Sequence, residues 1–430
     1  MAVQHRHNYC SVIKYFMTCM ILSICALFYV SLTIENYALN YFNFSMTKYD
    51  DKLLFLNQSS LTYHMEQTEF YPHLPIQIYT KNREKFIKLE NKTKKIILLA
   101  NGFFDDETWS MKSIKNKTNS GNMSELYCSF LNNQCEITND RDRFTQANAI
   151  VYHMRDYINR SDEILKYRHP SQRFIFTSWE SPRNSIDLRS YKNFFNWTMT
   201  YKFDSHIFAS YYASDTYRSK DSQWFKNLPY NYEQKTVLYE NINTTKKIGT
   251  VAALISNCLT PESQRTLLIT ELKKYVDVTV YGRCGKPCPK SIDCRTYIAE
   301  RYYFFLSFEN SYCEDYTTEK LFSTVALPIV PIVFGRVNYT RYIPQSAFIN
   351  VQQFPSISKL SERLYQIRTN RTLYQEYFQW KKNFIWDRFL QFMSPFCDLC
   401  LRLHLDKTPN IIHNIHKWWY HEKCDPEVQN

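Results

Sequence analysis

Apolar residues in this chain cluster into short runs separated by polar or amphipathic stretches. The runs 94–100 (KKIILLA), 148–154 (NAIVYHM) and 173–177 (RFIFT) form one group. A second group holds 248–256 (IGTVAALIS), 276–281, 302–308 and 327–334 (LPIVPIVF). Runs this short, apolar on both side-chain parities, predict strands buried on both faces. Their alternation with helical or polar segments predicts βα units and a mostly parallel sheet in each group. The polar stretch 226–247 separates the groups, so we read two α/β domains, 93–235 and 245–395. Between them in character is 184–212, rich in aromatic residues. Packing beneath a loop is the expected role of those rings, with sugar stacking as the alternative.

The ends of the chain carry a different pattern. Residues 15–34 form an uncharged run, long enough to cross a bilayer as a helix. Arg6 and Lys14 precede it and Glu35 follows, so the charge bias puts residues 1–14 in the cytosol and the bulk of the chain across the membrane. Residues 35–92 show weak periodicity and read as a stem. Residues 396–430, with Cys397, Cys400, Cys424 and the pair Trp418-Trp419, read as a terminal helix and tail.

Composition narrows the ligand. The chain has 430 residues, a net charge of +12, 13 cysteines and only 6 glycines. No dense Lys/Arg block or nucleic-acid module accompanies the charge, so a small anion is the expected partner and nucleic acid is not. So few glycines exclude Gly-rich phosphate loops, which leaves helix starts and side chains to hold a phosphate. Sequons at Asn43, Asn57, Asn91, Asn116, Asn122, Asn159, Asn196, Asn243, Asn338 and Asn370 all lie beyond the anchor. So do the cysteines from Cys128 onward, which fits structural disulfides in an oxidising compartment better than zinc or a redox dithiol at Cys397-x-x-Cys400.

Two places combine a strand end, a helix start and a cation. The run 302–308 ends in Glu309 and Asn310, and after a polar loop Thr317-Thr318-Glu319-Lys320 opens an amphipathic segment. After 248–256, Thr260 and Pro261 are a good helix cap and first helical residue, and Leu267, Leu268, Glu271, Leu272 and Tyr275 follow at helical spacing, with Arg265 in the second turn. Ligands of α/β sheets sit outside the carboxyl ends of the strands. Two such crevices with cations suit a diphosphate: Arg265 can grip oxygens bidentately and Lys320 acts as a point charge. Glu319 suits ribose hydroxyls. Glu180, after the strand at 173–177 and before Pro182, is placed either as a general base or as a cap of the next helix. HExxH, P-loop and GxSxG motifs are missing and Asp204-Ser205-His206 is not a DxD, so a phosphate-bridging metal is not expected.

The stretch FENSYCEDYTTEKLF from Phe308 to Phe322 resembles the donor motif of the Golgi α1,3/α1,4-fucosyltransferases, glycosyltransferase family 10. WESP at 179–182, FNWTMTYKFDSHI at 195–207, ISNC at 255–258, ELKKY and YGRCG within 271–285, FCDLC at 396–400 and CEITNDRDRFTQANAIVYHMRD at 135–156 resemble further family blocks in the same order. The resemblance implies a GT-B fold, two Rossmann-like domains facing a cleft. It implies inverting transfer of L-fucose from GDP-fucose to a GlcNAc hydroxyl, α1,3-linked, by a single-pass type II Golgi membrane enzyme. Carried over, Glu180 matches the base, Lys320 and Arg265 the phosphate ligands and Glu319 the ribose contact. Tyr201, Ser256, Asn257, Asn310 and Tyr316 match other donor-pocket positions. No cofactor is implied, though a divalent cation could stimulate. The family's C-terminal CxxC implies pairing of Cys128 with Cys397 and Cys135 with Cys400, and leaves open how Cys258, Cys284, Cys288, Cys294, Cys313 and Cys424 pair. The usual YRRDSD reads YKFDSH at 201–206, which departs from the family on the donor side. A catalytically silent, membrane-anchored glycan-binding protein on the same scaffold is the competing reading; the presence of Glu180, Arg265, Glu319 and Lys320 favours the enzyme.

Overall fold

The computed structural model describes residues 85–103, 109, 131, 134–155, 167–211, 217–219, 242–258, 265–386, 390–420 and 424. The run 15–34, Cys128 and the helix start at 260–264 lie outside the described residues. Among the described residues no helix is long and apolar enough to cross a membrane.

The first lobe is a six-stranded sheet of β1 (Lys95–Leu99), β2 (Cys135–Thr138), β3 (Ala149–His153), β4 (Arg173–Ser178), β5 (Trp197–Thr200) and β6 (Ile207–Phe208), in the order β2-β1-β3-β4-β5-β6. Every pairing is parallel. Strands β3, β4 and β5 are buried at every position, as covered parallel strands require. The period of two along each strand divides the side chains between two cores. Ile97, Leu99, Val151 and Ile175 face one side, and Leu98, Ile150, Phe174 and Phe176 face the other.

The end of the chain covers both of those faces. Helix α6 (Leu390–Leu405) lays Phe396, Leu399, Leu401 and Leu403 on the first face. Helix α7 (Ile415–Tyr420) lays Ile415 and Trp419 on the second. A disulfide between Cys135 and Cys400 ties β2 to α6, and Cys397 is also disulfide-bonded. The buried Lys202 ammonium donates to the Trp418 carbonyl at 3.0 Å and sits 4.3 Å over the Trp418 ring. Lys202, the second residue of YKFDSH, thus holds the tail.

The second lobe has strands β8 (Gly249–Leu254), β9 (Val278–Tyr281), β10 (Tyr302–Phe308), β11 (Val330–Phe334) and β12 (Ile349–Asn350), ordered β12-β11-β10-β8-β9 and all parallel. A small antiparallel pair, β7 (Tyr217–Ser219) with β13 (Phe384–Trp386), stands apart. Helices α4 (Ile357–Thr369) and α5 (Arg371–Gln379) cover one face through Leu360, Leu364, Tyr374 and Phe378. Helix α2 (Cys294–Arg301) and α3 (Glu319–Val325) cover the other, and α1 (Arg265–Leu272) follows β8. Gly282, at φ +92°, turns the chain just after β9, and a Cβ there would meet the Ile255 carbonyl at 2.6 Å.

Several elements differ from the sequence pattern. The segment 184–212 is no loop cover: it supplies β5 and β6, and Phe194 and Phe195 pack in the core against Tyr152 and Phe174. Its rings therefore serve packing. Strands β2 and β12 also escape the pattern, because two to four residues give no measurable run. The apolar run 327–334 yields a strand only from Val330, its first residues closing the turn after α3.

Candidate active site

The two sheets meet at the carboxyl ends of β4 and β10. A shared cluster holds Phe208 from the first lobe with Leu321, Phe322, Val333, Tyr339 and Tyr342 from the second. Ser181 donates to Ser311 at 2.8 Å, the Phe203 N–H donates to Asp315 at 3.3 Å, and a disulfide joins Cys313 to Cys424.

Glu180 sits at this junction. Trp179 before it is buried and packs its ring on Phe103 at 4.7 Å, near His153. Pro182 after it opens a single 3₁₀ turn, Pro182–Asn184. With both neighbours fixed, the Glu180 side chain points out of the first lobe's sheet. Asn184 at the end of the turn donates to Oε2 at 2.8 Å. Tyr211 donates to Oε1 at 2.9 Å and Tyr316, from the second lobe, to Oε2 at 3.1 Å. Among the described residues the carboxylate accepts three side-chain donors and caps no backbone N–H. Burial first, then the nearby Glu180, holds both phenols well above the ordinary tyrosine range.

Lys320 lies in the first turn of α3, whose start is anchored from inside the sheet. Ser307 of β10 donates to the Lys320 carbonyl at 2.8 Å, and Thr318 caps the helix. The ammonium faces Glu309, which is 2% exposed, at 3.1 Å, and Glu319 at 3.6 Å. Glu309 also accepts from the Thr318 N–H and hydroxyl, each at 2.8 Å. Burial alone would lower the Lys320 ammonium; Glu309 and Glu319 outweigh it and hold it raised, and Glu180 adds to the effect. Burial raises Glu309, and Lys320 offsets only part of that. Glu319 is half-exposed, between Lys320 and Arg295, whose guanidinium is 3.7 Å away; burial would raise it, but the two cations hold it below the usual carboxylate range.

Arg265 is buried at the first described residue of α1 and donates to the Asn257 carbonyl at 2.9 Å. Burial lowers its guanidinium, against the raising effect of Glu309 and Tyr316. Lys320 pairs with the buried carboxylate of Glu309, whose charge also acts on Arg265. Tyr201 and Tyr316 are buried with rings 5.2 Å apart. The Tyr201 hydroxyl and the Asn310 side-chain oxygen are buried with no hydrogen-bond partner, an unusual state for polar atoms in a folded protein. Ser256 and Asn257 are exposed on the loop after β8, which the disulfide between Cys258 and Cys284 fastens. Asn257 joins the group through its carbonyl, which accepts from Arg265.

Sequence reasoning missed Glu309, Asn184 and Tyr211. Glu309 carried a signal, being the first polar residue after a buried strand. Tyr211 carried none, since it follows a two-residue strand. Among the described residues one group has metal-ligand spacing, Cys135, Cys400 and His404; its sulfurs are joined to each other and it lies in the first lobe's core.

Residues 92–212 match the family model "Fucosyltransferase, N-terminal", and residues 244–418 match "Glycosyltransferase family 10 (fucosyltransferase) C-term". An alpha-(1,3)-fucosyltransferase C of Drosophila melanogaster is 31% identical over 346 residues, 76% of this chain and 78% of that protein. A 4-galactosyl-N-acetylglucosaminide 3-alpha-L-fucosyltransferase of Pan troglodytes is 34% identical over 274 residues, 63% of this chain and 71% of that one. A crystal structure of an α1,3-fucosyltransferase with GDP-fucose superposes with a TM-score of 0.49 at 16% identity, covering 75% of this chain and 94% of that one. The two family models fall one on each lobe, in the order of the sheets, and the Drosophila relative spans both; the chain belongs to glycosyltransferase family 10, the fucosyltransferases.

Proposed function

We propose that the chain transfers L-fucose from GDP-fucose to a GlcNAc hydroxyl of glycoprotein or glycolipid glycans, in α1,3 linkage and with inversion, on a GT-B scaffold. In this reading the second lobe holds the nucleotide. Lys320 and Arg265 bind the diphosphate and stabilise the charge that grows on departing GDP. Glu319 accepts hydrogen bonds from the ribose. Tyr201, Ser256, Asn257, Asn310 and Tyr316 line the donor pocket. Glu180 takes the proton of the acceptor hydroxyl as its oxygen attacks the anomeric carbon and the bond to the β-phosphate breaks.

One observation carries the reading. Tyr316, beside the cations of the second lobe, donates to Glu180 of the first at 3.1 Å, and Glu180 contributes to raising the Lys320 ammonium. A carboxylate base and phosphate-binding cations within reach of one small ligand support single-displacement transfer. Anchoring in the Golgi membrane through 15–34, with the lobes lumenal, belongs to the same reading; disulfides at Cys135–Cys400, Cys258–Cys284, Cys288–Cys294 and Cys313–Cys424 fit an oxidising lumen.

The test is Glu180→Gln, assayed by mass shift of one deoxyhexose on a GlcNAc-terminated glycan array. Transfer is expected to fall by about 10²–10⁴, with GDP-fucose affinity retained in calorimetry. Transfer at the parent rate refutes the assignment of the base.

A further inference from the structure

Glu180 has two oxygens and about four lone-pair sites. Tyr316 and Asn184 both donate to Oε2, at 3.1 and 2.8 Å. Oε1 receives one donor, the Tyr211 hydroxyl, at 2.9 Å. The open acceptor site of the carboxylate is therefore on Oε1. Without Tyr211, Tyr316 and Asn184 still hold Oε2, but Oε1 loses the one donor that fixes which of its lone pairs stays open.

Tyr211 is itself fixed. Its ring packs against apolar clusters on both sides of the first sheet and against the inter-lobe cluster. It stands three residues after the end of β6, whose pairing with β5 is set by Met199 opposite Ile207 and Thr200 opposite Phe208. The hydroxyl donates to Glu180, and the charges of Glu319 and Glu309 also act on it. A phenol among carboxylates keeps its proton and acts as a donor only. Among the described residues, Tyr316, Tyr201 and Lys320 also interact electrostatically with Glu180, from the other lobe and from the strand end beside it.

We infer that Tyr211 is a positioning residue for the transfer reaction: its hydroxyl holds Oε1 of Glu180 so that the remaining lone pair of that oxygen meets the acceptor hydroxyl. This rests on Glu180 being the base. The proton passes from the acceptor oxygen to Oε1, the new C–O bond forms at the anomeric carbon, and the electrons of the broken bond leave with GDP. Tyr211 gives up no proton at any step. Its contribution is to the orientation of the base, so it acts on turnover and not on ground-state binding.

The test compares the full-length parent, Tyr211→Phe, Glu180→Gln and the double variant. Tyr211→Phe keeps the ring and loses only the oxygen. A hydrogen bond to a charged group is lost, so kcat is expected to fall about 10- to 100-fold, with the KM for GDP-fucose within about twofold and the thermal midpoint lowered less than by Tyr211→Leu. Tyr211→Leu, which also removes ring packing, serves as the control for a purely structural role and lowers the midpoint. In the Glu180→Gln background the Tyr211→Phe change is expected to cost nothing further. If Glu180→Gln abolishes transfer but Tyr211→Phe turns over at the parent rate, or loses only KM, the positioning role is refuted and the base survives. If Glu180→Gln itself transfers at the parent rate, the base assignment is refuted, and the positioning role with it.

Discussion

Lys320→Met leaves Glu309, 2% exposed, without the cation that stands 3.1 Å away. At an effective dielectric of ~20, unit charges at that separation attract by roughly 5 kcal/mol. Removing each ion from water costs several kcal/mol, so the intact pair contributes little net stability. Losing one member is different, because a buried charge without its partner costs about 3–5 kcal/mol. Thr318 still donates to Glu309 through its N–H and its hydroxyl, which puts the expected loss near the lower end, about 3 kcal/mol. The double variant Lys320→Met/Glu309→Gln removes both charges and is expected to recover more than half of it. The sign with pH follows from burial. Burial already raises the folded-state Glu309 above its ordinary value of 4.5, and the offset from Lys320 is lost in the variant. The unfolded chain then releases its proton first, so the deficit opens as pH rises above that value and closes below it. Urea unfolding of the purified full-length protein measures all three. A Lys320→Met loss under ~1 kcal/mol, or a double variant less stable than the single, refutes the reasoning. The double variant is also the background in which to measure donor affinity, since a fall there reflects a lost ligand contact and not a stranded anion.

Two other outcomes follow from the packing. The disulfide between Cys313 and Cys424, separated by 111 residues, closes a long loop and ties the loop bearing Tyr316 to the tail; Cys313→Ser is expected to lower unfolding stability by about 4–5 kcal/mol on the chain-entropy estimate, Cys424→Ser by the same amount, and an unchanged urea midpoint in either refutes it. His404 is pushed down to about 4, by burial first and then by Lys95, Lys407 and Lys92, against the raising hydrogen bond to the Gln134 carbonyl. The unfolded chain therefore binds the extra proton first: stability is full above an ordinary histidine value of 6.5 and is lost by ~3 kcal/mol as pH falls to 4. A His404→Asn variant should flatten that part of the curve, and an equally steep curve in the variant would sink the assignment.

The strands β1, β3, β4, β8, β9 and β10 are legible in the sequence, because each lies in a run of mostly apolar residues, which is a local property of the chain. The positions of Lys320, Arg265 and Glu180 in the fold are legible for a similar reason: each stands within a few residues of a strand end or a helix start, and local pattern marks such places. Strands β5, β6 and β12 are not legible, since they are strands only by virtue of the neighbours they pair with. The sheet order, with β8 between β9 and β10, is likewise a tertiary fact.

The environment of each site residue belongs to the same class. Tyr316 reaches Glu180 across 136 residues of sequence, and Tyr211 across 31. Glu309 becomes the counter-charge of Lys320 only because Ser307 and Thr318 bring the helix start back onto the strand that precedes it. The pairing of Cys258 with Cys284, Cys288 with Cys294 and Cys313 with Cys424 depends on where three loops are carried. Side-chain period and charge are written into a handful of consecutive residues. Which oxygen of Glu180 stays open depends on two sheets packed against one another, and only the tertiary structure decides it.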